Sequence, residues 1–195
     1  MHELSKASEI LYGSSMDISH ESLHGQDITI LGPYRPWRYH KEQGGDGSNY
    51  PSHSGRILDL KDSKAEGIDY FCTFISPRIG RYSLVAAVPS HDPAKTVSGI
   101  KSLAAKLEAA VNCKNVSSLV VRHTKIQKLA DGGNRSVDIH LGSIAIENAE
   151  PIAGHSILLL DDVMTTGNSL LACRKLLLDA GADLVKCVAL GRTTY

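Results

Sequence analysis

Apolar positions change their period from segment to segment along this chain, most clearly in its C-terminal half. Residues 83–88 (Ser-Leu-Val-Ala-Ala-Val) end in an unbroken apolar run stopped by Pro89, the pattern of a strand buried on both faces. Over residues 96–111 the period becomes helical. Val97, Ile100, Leu103, Ala104, Leu107 and Val111 fall on one face, with Lys101, Lys106 and Glu108 mostly opposite. Residues 118–121 predict a second strand and residues 156–160 a third. Residues 170–178 read as the next helix, and Gly181 suits a left-handed cap after it. Residues 184–190 predict the last strand. Strand alternating with helix predicts an α/β fold, an open, mainly parallel sheet of about five strands flanked by helices.

The first sixty residues lack this order. Residues 44–55 are rich in Gly, Ser and Asn and too polar to pack, so they predict loop. Residues 32–40 gather Tyr34, Arg35, Trp37, Arg38 and Tyr39, including the single Trp of the chain. Aromatic faces beside guanidiniums stack a nucleobase or single-stranded nucleic acid, or equally anchor a loop on a core. Residues 62–74 predict a helix joining this region to the rest. The expected division is a loop-rich N-terminal extension, residues 1–60, and an α/β core, residues 61–195.

Composition narrows the classes. A chain of 195 residues is long enough for one well-buried core. Its 21 basic residues balance its 21 acidic ones, so no global charge recruits DNA or an anionic membrane. No apolar run reaches the length of a membrane span, and the first residues lack the basic-then-apolar order of a secretory signal. Cys72, Cys113, Cys173 and Cys187 lie far apart without a C-x-x-C pair, which argues against a zinc ribbon or a thioredoxin-like site. Cys173 and Cys187 sit in apolar surroundings and read as small buried hydrophobes. Together these features fit a reducing cytoplasm.

The candidate chemistry concentrates in residues 157–169, Ile-Leu-Leu-Leu-Asp-Asp-Val-Met-Thr-Thr-Gly-Asn-Ser. A buried strand there is expected to end at Asp161 and Asp162, and a short turn leads into a helix. Ligands of open α/β sheets bind at the carboxyl ends of strands. A helix start offers unpaired N–H groups and a positive dipole end, which suit a phosphate. Two acids beside a phosphate cradle point to a sugar phosphate. The bland alternative is a strand–helix junction with acidic capping residues.

This segment resembles the phosphoribosyl pyrophosphate (PRPP) signature of type I phosphoribosyltransferases, and the strand and helix order over residues 80–195 agrees with their core. The resemblance implies that Asp161 and Asp162 hold the ribose hydroxyls and Mg²⁺, and that Thr165, Thr166, Gly167, Asn168 and Ser169 wrap the 5-phosphate. Some branches carry an acid just before the Thr-Gly step as a base. Here that position is Thr165, a departure that argues against a hypoxanthine- or guanine-type enzyme. The turn after the first strand, Val88 to Lys95, becomes the pyrophosphate loop, with Ser90, His91 and Lys95 as contacts. The bland reading of His91 is a capping or surface histidine.

Residues 122–137 are basic and contain a turn, Asp131-Gly-Gly-Asn134, which reads as mobile. Seen alone this is an exposed connector. In type I enzymes a flexible loop here closes over the leaving group, so Arg122, Lys125 and Arg135 would neutralise pyrophosphate. The spacing of Arg122, Thr124, Gln127, Leu129 and Arg135 resembles the competence-associated ComF branch. Two departures are the lack of that branch's cysteine-rich zinc module and Ser136, where Asn is common. The resemblance further implies an N-terminal hood placing Trp37 and Arg38 at the acceptor, a nitrogen nucleophile (nucleobase or amine) as second substrate, and a homodimer. A non-catalytic PRPP- or nucleotide-binding regulator, in contact with protein or nucleic acid, is the alternative from another class.

Overall fold

The structure, a computed structural model, describes residues 16–127 and 136–195. Its centre is a seven-stranded, mainly parallel sheet in the order β1–β2–β9–β8–β4–β5, with β3 also paired to β9. The middle strands are β8 (Ser156–Met164), β9 (Leu184–Thr193) and β4 (Leu84–Ala87). β8 lies parallel to both β4 and β9. Short β5 (Lys114–Asn115) closes one edge, parallel to β4. At the other edge, β1 (Ser19–Leu23) and β2 (Gln26–Ile30) form an antiparallel hairpin whose second strand runs parallel to β9. β3 (Pro33–Tyr34) continues that edge, opposite Arg192 and Thr193.

Alternation along β8 divides the core, because successive strand residues point to opposite faces. Leu158 and Leu160 join one cluster with Ile57, Leu60, Phe71, Leu103 and Leu107. Those partners come from α2 (Ser52–Lys61), α3 (Ala65–Ile75) and α4 (Gly99–Ala110). Ile157 and Leu159 join the other cluster with Ile28, Leu170, Cys173 and Leu177, under α6 (Asn168–Asp179). Cys72 and Cys113 lie in the first cluster and Cys173 and Cys187 in the second, all four free and buried. Gly99 lets α4 start against the end of α2, since a Cβ there would overlap the Leu60 carbonyl.

Several expectations need correction. The apolar run at residues 118–121 does not enter the main sheet. β6 (Val120–Arg122) pairs antiparallel with β7 (Ile144–Ile146), which follows α5 (Val137–Leu141), and β5 takes the sheet edge instead. Ser117 donates to the Asn115 side chain through both N–H and hydroxyl, which turns the chain between β5 and β6. The helix expected over residues 62–74 starts later. Ser63, at φ +59°, breaks the chain between α2 and α3. β8 also runs four residues past Leu160, to Met164, so both acids lie within the strand rather than beyond it.

The described part of the N-terminal region, residues 16–60, is not mainly loop. It supplies β1, β2 and β3, the short α1 (Trp37–Glu42) and most of α2, and Leu31, Tyr34, Ile57 and Leu60 lie in the first core cluster. Only the polar stretch between α1 and α2 keeps the expected loop character.

Candidate active site

Asp161 and Asp162 are neighbours in sequence that face opposite sides of the sheet. Asp161 is turned toward α6, where its Oδ2 accepts from the Ser169 hydroxyl at 3.0 Å. Its Oδ1 accepts from the backbone N–H of Asp162 at 2.9 Å. Burial, and then the charge of Asp162, raise the Asp161 carboxyl to about 7. Asp162 is turned toward α2 and only partly buried, and its Oδ2 accepts from the Lys61 ammonium at 2.8 Å. The Lys61 Nζ also lies 5.9 Å from the centre of the Tyr34 ring. Tyr34 has its hydroxyl pKa raised by burial and by the Asp162 charge.

The loop after the acids is held in a defined shape. Gly167 adopts φ +79° as the N-cap of α6, and a Cβ there would collide with Leu23 and press on Met164 Sδ at 3.3 Å. Gly167 has no side chain to cap the first turn of the helix, whose positive dipole end suits an anion. Thr165 and Thr193 share a hydroxyl hydrogen bond of 2.8 Å. Arg192 donates to the carbonyl of Thr165 and, through Nε, to Glu21 Oε1 at 2.7 Å. Thr166 is exposed, and Asn168 opens the helix. Ser169, expected to face a phosphate, instead donates its hydroxyl to Asp161.

The loop following β4 lies beside the segment after β6. Ser90 Oγ accepts from the Asp92 N–H at 3.3 Å and lies 3.5 Å from His91 Nδ1. The His91 carbonyl accepts from Ile126 N–H at 3.0 Å, and Lys125 pairs with Asp92 at 2.6 Å. Ser90, His91, Lys95 and Lys125 therefore share one neighbourhood. A cavity of about 320 Å³ opens there, lined by Lys95, Lys101, Ser118 and Arg122 among others. Burial pushes the Lys101 ammonium pKa down.

Arg122 lies in the wall of this cavity with its guanidinium engaged by protein atoms. It is 4% exposed, and it donates to the Ser90 carbonyl, the Ser143 hydroxyl and His140 Nδ1. A buried guanidinium with those partners holds the loop in place beside the cavity. Arg135 lies outside the described residues, as do Leu129 and the turn at residues 131–134. Trp37 stacks on His40 and meets Tyr50 edge-on, so its ring anchors the polar loop. Arg38 is paired with Glu42 one helical turn away, with its side chain 90% exposed, and is not turned into a site. Sequence patterns do not mark Lys61, Glu21 or Arg192, and they mark Tyr34 only as a member of the aromatic cluster. Arg192 at the carboxyl end of a strand was detectable by position. Lys61, 101 residues from its partner, carried no signal.

Residues 98–192 match the phosphoribosyl transferase domain. The match spans the acid pair, the Gly167 loop, α6 and most of β9, so this part of the chain carries a phosphoribosyl transferase domain. No curated protein matches the sequence. Similar solved structures include an adenine phosphoribosyltransferase of Leishmania tarentolae, 11% identical with a TM-score of 0.49, over 89% of this chain and 94% of that one. Another is a purine phosphoribosyltransferase of Pyrococcus horikoshii, 15% identical with a TM-score of 0.44, over 64% and 82% respectively. A hypoxanthine phosphoribosyltransferase of Staphylococcus aureus is 11% identical with a TM-score of 0.39, over 71% and 75%.

Within this phosphoribosyltransferase domain the donor set bears on metal binding. Among the described residues, no group of three or more His, Cys, Asp or Glu side chains gathers as a metal cage. Asp161 and Asp162, both expected to hold Mg²⁺, face opposite sides of the sheet, so only the partly exposed Asp162 carboxylate is open to it. That still fits a cation that binds through one or two carboxylates together with substrate phosphates. No helix among the described residues is long and apolar enough to cross a membrane.

Proposed function

We propose that this chain binds PRPP with Mg²⁺ and transfers its phosphoribosyl group to a nitrogen nucleophile, releasing pyrophosphate. One observation carries the reading: a strand bearing Asp161 and Asp162 leads through a left-handed turn at Gly167 into the start of α6. The first-turn N–H groups of α6, with Thr165 and Thr166, take the 5-phosphate. Asp162, the more accessible acid, orients the ribose hydroxyls, while Asp161 acts through Ser169 to hold the loop. Asp162 would hold Mg²⁺, which would supply charge stabilisation for the pyrophosphate.

As the anomeric carbon–oxygen bond breaks, its electron pair leaves with pyrophosphate and positive charge develops on the sugar, as in glycoside cleavage. Ser90, His91, Lys95 and Lys125 receive the departing anion, with Arg122 fixing the carbonyl of Ser90 behind them. The nitrogen lone pair then forms the new bond, and the nitrogen loses a proton. Thr165 stands where a carboxylate base would act, which favours an acceptor that does not need one from this loop. The spacing of Arg122, Thr124 and Gln127 supports a ComF-like relative with a different N-terminal region.

The test is calorimetric titration of PRPP with Mg²⁺, run beside Asp161→Ala/Asp162→Ala, followed by assay of pyrophosphate release with nucleobases and amines. Binding that vanishes in the double variant supports the ribose site. Binding without pyrophosphate release from any acceptor would favour the regulator, and no binding would sink the reading.

A further inference from the structure

We infer that Lys61 is a positioning residue that occupies Asp162 as an internal counter-ion and must be displaced when PRPP and Mg²⁺ bind. This deepens the proposed function and rests on it. The ammonium sits 2.8 Å from Asp162 Oδ2, on the carboxylate that the ribose hydroxyls and the cation require. A carboxylate oxygen engaged by an ammonium is not open to a hard cation, so Lys61 and Mg²⁺ compete for one ligand. The pair is built to exchange. Its side chains are 34% and 29% exposed, a setting in which an ion pair is neither locked by burial nor lost to solvent.

Lys61 has a second resting place. It is the last residue of α2, and the face of the Tyr34 ring lies 5.9 Å from its Nζ. Tyr34 sits on β3 beside Thr193, whose hydroxyl meets Thr165 of the phosphate loop. Displacement therefore moves the cation along the wall of the same site rather than out of it. The close approach of Leu60 to Gly99 fixes the end of α2, so the exchange is a side-chain movement on a stationary helix.

The test uses the full chain and its Lys61→Met and Lys61→Arg variants. PRPP binding is measured calorimetrically at graded Mg²⁺ concentrations, with unliganded melting recorded for each. Lys61→Met is expected to reach half-maximal PRPP binding at about threefold lower Mg²⁺, the fold-change that matches release of an ion pair of this exposure. Lys61→Arg, which keeps the competing charge, is expected to stay near the native requirement. An unchanged or raised Mg²⁺ requirement in Lys61→Met, or the same shift in both variants, overturns the inference while leaving the function intact. Failure of the native chain to bind PRPP at any Mg²⁺ concentration removes both. Lys61→Gln repeats the comparison should Lys61→Met not fold.

Discussion

Asp161 and Asp162 are the same residue type one position apart, and their surroundings give them different tasks. Asp161 is enclosed, so its carboxyl pKa rises to about 7 through burial and then through the charge of Asp162. Because this folded value lies above that of the unfolded chain, the group favours folding in acid. Its contribution fades as pH rises from about 4 to about 7 and is absent above that. Asp161→Asn is therefore expected to flatten the pH dependence of stability across that window, measured by urea unfolding at pH 5 and pH 8. A variant that kept the native slope would show that other groups set it. Asp162→Asn is expected to do the reverse. Stability should change by about 1 kcal/mol or less, because its ion pair is partly exposed. Pyrophosphate release should fall by about 10²-fold or more, the scale of losing one group that stabilises charge in the transition state. Equal melting and equal activity would remove Asp162 from the site.

The elements show where sequence reading succeeds and where physics hides the answer. The strand–turn–helix around Gly167 was legible because a buried strand, two acids, a turn and an amphipathic helix each leave a local mark. Gly167→Ala is expected to cost about 1–2 kcal/mol for forcing a side chain into the left-handed region. It should also weaken PRPP binding by disturbing Leu23, and denaturant unfolding beside calorimetry checks both. The run at residues 118–121 was legible as a strand but not as a member of the wrong sheet, since periodicity reports burial and not partnership. Arg122 misled for a related reason: sequence shows a cation, and only packing shows that its donors are already engaged. Arg122→Lys is expected to destabilise by about 2 kcal/mol, because one ammonium cannot replace a fork shared among Ser90, Ser143 and His140. Native-like melting of that variant would mean the network contributes little.

For the whole molecule, the unexpected result is how far residues 16–60 are built into the sheet. Their polar composition between α1 and α2 masked the contributions of Ile28, Ile30, Ile57 and Leu60, each of which is 1% exposed or less. These residues are separated from their neighbours on β9 by most of the chain, a distance over which sequence patterns carry no pairing information. Trp37, the single tryptophan, lies in this region and reports on it alone. Its fluorescence and the far-ultraviolet circular dichroism of the whole chain are expected to change together in urea, as one cooperative transition. An earlier Trp37 transition would show that the N-terminal elements melt as a separate unit.

The four cysteines add a practical consequence of the two-sided core. Burial raises the Cys113 and Cys187 thiols, Cys187 to about 12, and raises Cys173 still further. A thiol-reactive dye attacks the thiolate, so labelling of the native protein waits for a cysteine to be uncovered. Cys72 and Cys113 sit beneath α3 and α4, and Cys173 and Cys187 beneath α6. Single-cysteine versions of the chain therefore act as separate clocks for the breathing of the two faces, and adding PRPP would show which face it quiets.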